Sequence, residues 1–270
     1  MRPEGISEKM MYNTVRLETE LGCGTGSYFD YVIEDHTIPV IITNKHVVNN
    51  KERENVTFLL HIKDDNGNPS ENIKIQYEAN WIFHEDKDIC FCYVNPIFEE
   101  IKRRYHKEVF YVANDTNLIP SQEKLEELSA LEELVMVGYP IGLWDQVNNF
   151  PIFRKGFTAC HPGIDFNEKG IGLVDMACFP GSSGSPIYLF NEGGYRDKLG
   201  NTYLGSSRLY LIGYLFAGPQ YSANGSLTVE AIPTQQKVVS STPIMVNLGY
   251  YVKSTEILSF IDRIKRDCNI

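Results

Sequence analysis

The sequence predicts an all-β protein: two antiparallel β units joined by helical segments, with a helix at the end. Three observations predict it. Short apolar, β-branched and aromatic runs recur along most of the 270 residues and are broken by Gly, Asn, Asp and Pro. Turn signals separate them at short intervals, the rhythm of hairpins in a barrel or sandwich and not of a parallel α/β sheet. Helical spacing is confined to four places.

Taken in order, residues 6–18 are expected to form a short N-terminal helix. The runs "SYFDYVI", "IPVIIT" and "VTFLLHI" then read as strands, and "DDNGNPSEN" (64–72) as the turn of a hairpin. In "WIFHEDKDICFCYV" the cysteines at 90 and 92 are two apart, so they share one strand face as small core residues. Residues 95–109 have amphipathic helical spacing. "SQEKLEELSALEEL" (121–134) opens on a Ser cap and repeats Leu at helical intervals. Strands lie on both sides of these two segments, so residues 95–134 form an elaborate connection between the β units. "LYLIGYLFAG" and "NLGYYVKS" are further strands. "STEILSFIDRIKRD" (254–267) starts with Ser254, Thr255 and Glu256 and closes with basic residues, as a terminal helix should.

The bulk properties exclude several classes of function. A net charge of −10 argues against nucleic-acid or anionic-membrane partners, which need clustered Lys and Arg. No window approaches the ~18 apolar residues of a membrane span, and the N-terminus has no signal-peptide core, so a cytoplasmic location is expected. The six cysteines are then expected as thiols, without CxxC or His/Cys zinc spacing; no metal or cofactor is expected. "GCGTGS" fails as a dinucleotide fingerprint because Ser27 takes the third glycine position and a strand follows. A Gly-x-Ser-x-Gly elbow would need glycine at Ser185.

Three local signals carry chemistry. "ITNKHVV" puts His46 at the end of an apolar strand, "WIFHEDKDICFCYV" puts Asp88 at the start of one, and "FPGSSGSP" puts Ser183 in a Gly-rich turn. A serine hydroxyl becomes a useful nucleophile when a histidine takes its proton, and the histidine needs a carboxylate to fix its tautomer. Asp86 lies two residues from Asp88 and competes for the carboxylate role; the apolar run directly after Asp88 favours Asp88. His36, His61, His84 and His106 have no partner motif and read as structural, whereas His161 in "ACHPG" is left open between a cleft residue and a turn histidine.

In this order the motifs resemble the chymotrypsin-like (trypsin-fold) serine peptidases, and among them the HtrA-like bacterial type. "GTGSYF" (24–29), "TNKHVV", "DIC", "VGYPIG" (137–142), "DMACFPGSSGSP" and "LGYYVKS" with its following helix match from about residue 22 onward. The resemblance implies two antiparallel β-barrels: an extension over 1–17, a first barrel over 18–112, a helical connection over 113–134, a second barrel over 135–252 and a terminal helix over 253–270. It implies His46 as general base, Asp88 as its orienting carboxylate and Ser183 as nucleophile, with the amides of Gly181 and Ser183 as oxyanion hole. The substrate side-chain pocket maps to Ala177, Cys178, Leu215, Phe216 and Ala217, which carry no charge, so a small or apolar residue before the scissile bond is expected.

Departures from the family matter too. Ser182 stands where secreted members carry the aspartate that receives a new N-terminal amine, and no Ile-Val-Gly-Gly start is present. Activation by that route is not expected, and neither is a PDZ domain after the terminal helix. The expected function is a serine endopeptidase acting on protein or peptide substrates. Two other readings stay open: an inactive peptide-binding relative, and a latent enzyme switched on by a regulatory protein partner.

Overall fold

The computed structural model describes residues 2–140, 143–227, 238–245 and 247–270. Helix α1 (Ile6–Asn13) leads into the first β unit: β1 (Thr14–Thr19), β2 (Gly22–Ile33), β3 (His36–Thr43), β4 (Arg53–Lys63), β5 (Pro69–Asn80), β6 (Ile82–Phe83) and β7 (Cys90–Tyr93). After α2 (Asn95–Tyr105), the short strands β8 (Val109–Phe110) and β9 (Asn114–Asp115) complete it. The nine strands make one sheet in the order β5-β4-β1-β2-β3-β7-β6, with β8 on β4 and β9 parallel to β2. Its two ends, β5 and β6, are consecutive stretches of chain hinged at Trp81, so the sheet curls back on itself through a covalent bend. Trp81 is buried at that bend and stacks on Phe58. The core inside includes Val56, Phe58, Ile75, Cys90 and Cys92, which places both cysteines where their spacing predicted.

Helix α3 (Gln122–Glu127) precedes the second unit. This is a closed six-stranded barrel of β10 (Glu133–Gly138), β11 (Ile152–Thr158), β12 (Ile171–Asp175), β13 (Pro186–Asn191), β16 (Arg208–Ala217) and β19 (Leu248–Lys253). Two hairpins, β14 (Gly194–Arg196) with β15 (Thr202–Leu204), and β17 (Gln220–Leu227) with β18 (Val238–Met245), project as separate pairs. The chain ends in a 3₁₀ segment, Ser254–Phe260, continued by α4 (Ile261–Cys268). Another apolar cluster joins the units: Phe29, Tyr31 and Val40 of the first meet Val137, Tyr214 and Val252 of the second, together with Ile257, Phe260 and Ile264 of the terminal segment.

Three helical expectations shorten. The helix expected over 6–18 stops at Asn13, because Thr14–Thr19 is pulled into the sheet between β2 and β4 with Val15 and Leu17 buried. The helix over 95–109 stops at Tyr105, where His106 turns left-handed at φ 54° and donates its N–H to Lys102 O. The helix over 121–134 keeps its Ser121 cap, which accepts the Lys124 N–H, but runs only to Glu127. Glu132 then turns inward and, fully buried, pairs with Arg208 at 2.7 Å. The first sheet therefore spans Thr14 to Asp115 and overlaps the segments assigned to extension and connection. "VGYPIG" is seen through Pro140; Ile141 and Gly142 lie outside the described residues.

Candidate active site

His46 sits in the 3₁₀ turn Lys45–Val48 that follows β3, and Asp88 sits in the turn just before β7, the strand that pairs with β3. The pairing Thr43 to Cys90 brings the two turns together. His46 Nδ1 lies 2.5 Å from Asp88 Oδ2, and the His46 backbone N–H donates to Asp88 Oδ1 at 3.2 Å. Asn44 donates from its side-chain amide to Asp88 O at 2.7 Å and fixes the carboxylate's own backbone. A carboxylate accepting at Nδ1 keeps the proton on that nitrogen and leaves Nε2 free to accept another. Among the described residues no hydrogen bond or ion pair joins Asp86, the rival carboxylate, to His46; its backbone N–H donates to His84 Nδ1 at 3.1 Å.

Ser183 lies in a tight turn between β12 and β13 that is built on glycine. Gly181 and Gly184 have φ of 87° and 83°. At Gly184 a Cβ would stand 2.0 Å from Thr25 O and 2.6 Å from Thr43 Oγ1, so glycine is required twice over, by conformation and by space. That contact packs the turn directly against the end of β3, three residues before His46. The backbone binds there too, as Thr25 N–H donates to Ser183 O at 2.9 Å and Gly184 N–H to Leu215 O at 2.8 Å. Among the described residues no hydrogen bond joins Ser183 to His46, a looseness common in a resting site. The N–H groups of Gly181 and Ser183 are not used by any backbone acceptor among the described residues.

Thr25 is the residue that sequence reading missed. Its hydroxyl donates to Gly181 O at 3.1 Å and accepts from Tyr139 N–H at 3.1 Å and Ser185 Oγ at 3.2 Å, which fills its whole hydrogen-bonding capacity. Thr43 Oγ1 donates to Thr25 O at 2.8 Å. The signal was present: Thr25 is the second residue of "GTGSYF", and a small polar residue between two glycines at a buried strand position needs partners.

Beside Ser183 opens a pocket of about 270 Å³, lined by Cys178, Phe179, Pro180, Leu215, Phe216 and Ala217. Four of the five expected lining residues are there. Ala177 is not; its carbonyl is turned away to accept from Arg154. The wall bears no charge, since burial pushes the Cys178 thiol up to about 11. A second hollow of about 370 Å³ shares Phe216 and Ala217 and adds Phe166, Ile171 and Tyr250. His161 lines neither: its Nδ1 accepts the Gly163 N–H at 3.1 Å within its own turn. His84 is buried against Phe260, and His61 against Tyr12 and Phe150.

Compared with known proteins, residues 24–194 match the model of the trypsin-like peptidase domain. The chain belongs to the trypsin-like peptidase family. The matched segment is more than half of the chain and carries His46, Asp88 and Ser183. No curated protein sequence matches this peptidase. Solved structures similar to it include the inactive form of Rv3671c from M. tuberculosis H37Rv, at 14% identity and TM-score 0.44, covering 97% of this chain and 90% of that one. The serine protease of a human pathogenic astrovirus is 14% identical at TM-score 0.42, with 90% and 91% covered. A scabies mite inactivated protease paralogue is 11% identical at TM-score 0.46, with 96% of each chain covered. Among the described residues, no helix of the peptidase is long and apolar enough to cross a membrane.

Proposed function

We propose that the chain is a serine endopeptidase that cleaves peptide bonds through an acyl-enzyme on Ser183. One observation carries the reading: the His46–Asp88 pair at 2.5 Å stands at the end of the strand against which the Ser183 turn is packed. In this mechanism Ser183 Oγ attacks the substrate carbonyl and His46 Nε2 takes its proton, while Asp88 holds the ring and balances the imidazolium charge. The unspent N–H groups of Gly181 and Ser183 meet the charge that develops on the carbonyl oxygen. His46 then returns the proton to the leaving amine, and water, deprotonated by the same nitrogen, releases the acyl group.

The pocket beside Ser183 carries no charge and favours apolar side chains, whereas the second hollow adds Glu168 to its aromatic and apolar lining. The pocket beside Ser183 takes the residue before the scissile bond, and the hollow at Phe166 and Tyr250 takes another residue of the same extended strand. The test is labelling by a fluorophosphonate probe, followed by cleavage profiling on a peptide library. Native protein is expected to react and Ser183→Ala to stay unlabelled, with cuts after uncharged residues. Equal labelling of the two proteins sinks the nucleophile assignment, and dominant cuts after Lys or Arg sink the pocket assignment.

A further inference from the structure

The turn that carries Ser183 is held from one side by Thr25. Its other side rests on Arg154, which reaches inward from β11 opposite Met136 of β10. The next inward position is Gly156, where a Cβ would stand 2.3 Å from Asp175 O and 2.5 Å from Met176 Cβ. The segment leading to the nucleophile is thus pressed onto β11 just where Arg154 emerges. The guanidinium donates to Ala177 O, lies 3.5 Å from Ser182 Oγ and sits over the Phe179 ring at 4.8 Å from its centre. Ser182 itself is buried, and Phe179 accepts at its carbonyl from Ser182 N–H at 3.0 Å.

This cation is unusual in its company. Among the described residues it has no carboxylate within ion-pair distance; its polar partners are a carbonyl and a hydroxyl, and its apolar partner is a ring. Burial lowers its pKa from the ordinary value, so the environment costs the charged form solvation that only these contacts return. A planar fork suits the task, because it bonds in its plane and stacks on its face at once. All three contacts fall between residues 177 and 182, on the segment that leads into the two amides assigned to the oxyanion and separates them.

We infer that Arg154 is a positioning residue that holds residues 177–183 in the form that presents the Gly181 and Ser183 amides, a standing internal prop for the nucleophile turn. Ser182 is the matching half of the device, since an aspartate there would compete for the guanidinium with a full charge and draw it off Ala177 O. The inference rests on the hydrolase reading above.

The test separates the two. Fluorophosphonate labelling of Ser183 and amide hydrogen exchange over residues 177–184 are followed in the full chain for wild type, Arg154→Ala and Arg154→Lys. Arg154→Ala is expected to label roughly ten- to hundredfold more slowly, the cost of losing hydrogen bonds from a charged donor, with Arg154→Lys between it and wild type. Exchange over 177–184 is expected to quicken in the same order while β10 and β13 keep wild-type exchange. Labelling and exchange within about twofold of wild type in both variants would overturn the assignment. If wild type takes no label, the hydrolase reading fails, and exchange over 177–184 still decides the role of Arg154.

Discussion

Half-buried Asp30 and buried His61 are two titratable side chains outside the site, and their effects on stability run against each other. Burial, with the Asp115 carboxylate adding repulsion, pushes Asp30 up to about 6. An unfolded Asp loses its proton near ~3.9. Between these values the folded chain holds a proton that the unfolded chain has released, so this residue makes stability fall as pH rises through that window. Burial lowers His61 to about 4. An unfolded His is half-protonated near ~6.5, so between the two values the unfolded chain holds the extra proton and His61 makes stability rise with pH. Thermal melts from pH 4 to 7 are expected to show a steeper climb for Asp30→Asn than for wild type, because the opposing slope is gone. Parallel profiles would show that Asp30 does not titrate in this window.

Elements decide where local pattern yields to tertiary contact. The strands were legible because short apolar, β-branched and aromatic runs favour extended backbone whichever partner is chosen: "SYFDYVI", "IPVIIT" and "VTFLLHI" fall within β2, β3 and β4. Helix ends were not, since each is set by something distant. Residues 128–134 keep their helical leucine spacing, yet Glu132 leaves the helix to meet Arg208, which also lies over the Tyr195 ring at 4.1 Å. Glu132 accepts the Ser129 N–H as well, at 2.9 Å, and so fixes the turn that starts β10. Glu132→Ala strands a buried guanidinium and is expected to cost about 3–5 kcal/mol in urea denaturation. Glu132→Gln, which keeps an acceptor for the Ser129 N–H but drops the charge, should cost less; equal losses would mean that the charge pair, and not the hydrogen bond to the turn, is what matters.

At the scale of the molecule, the groups proposed for catalysis come from both units, on turns packed against each other across a seam. His46, Asp88 and Ser183 were readable because their motifs are local, whereas Thr25 and Arg154 act through partners more than a hundred and more than twenty positions away in the chain. No sequence pattern announces such pairings. Thr25→Val keeps the shape of the side chain but leaves Gly181 O and Tyr139 N–H without their partner in a buried seam. It is expected to lower stability by about 1–3 kcal/mol and to slow Ser183 labelling in folded protein. A variant that loses stability yet labels at the wild-type rate would confine Thr25 to a structural role.

The barrel around Ser183 closes only when β19 pairs with β12 and β16, and Ile257, Phe260 and Ile264 then fill the seam. During translation His46 and Asp88 leave the ribosome early, within the first unit. The hydroxyl follows, but its ring stays open until residues 248–253 have emerged. On the serine-peptidase reading, a nascent chain therefore carries His46, Asp88 and Ser183 well before β19 closes the barrel that holds the Ser183 turn.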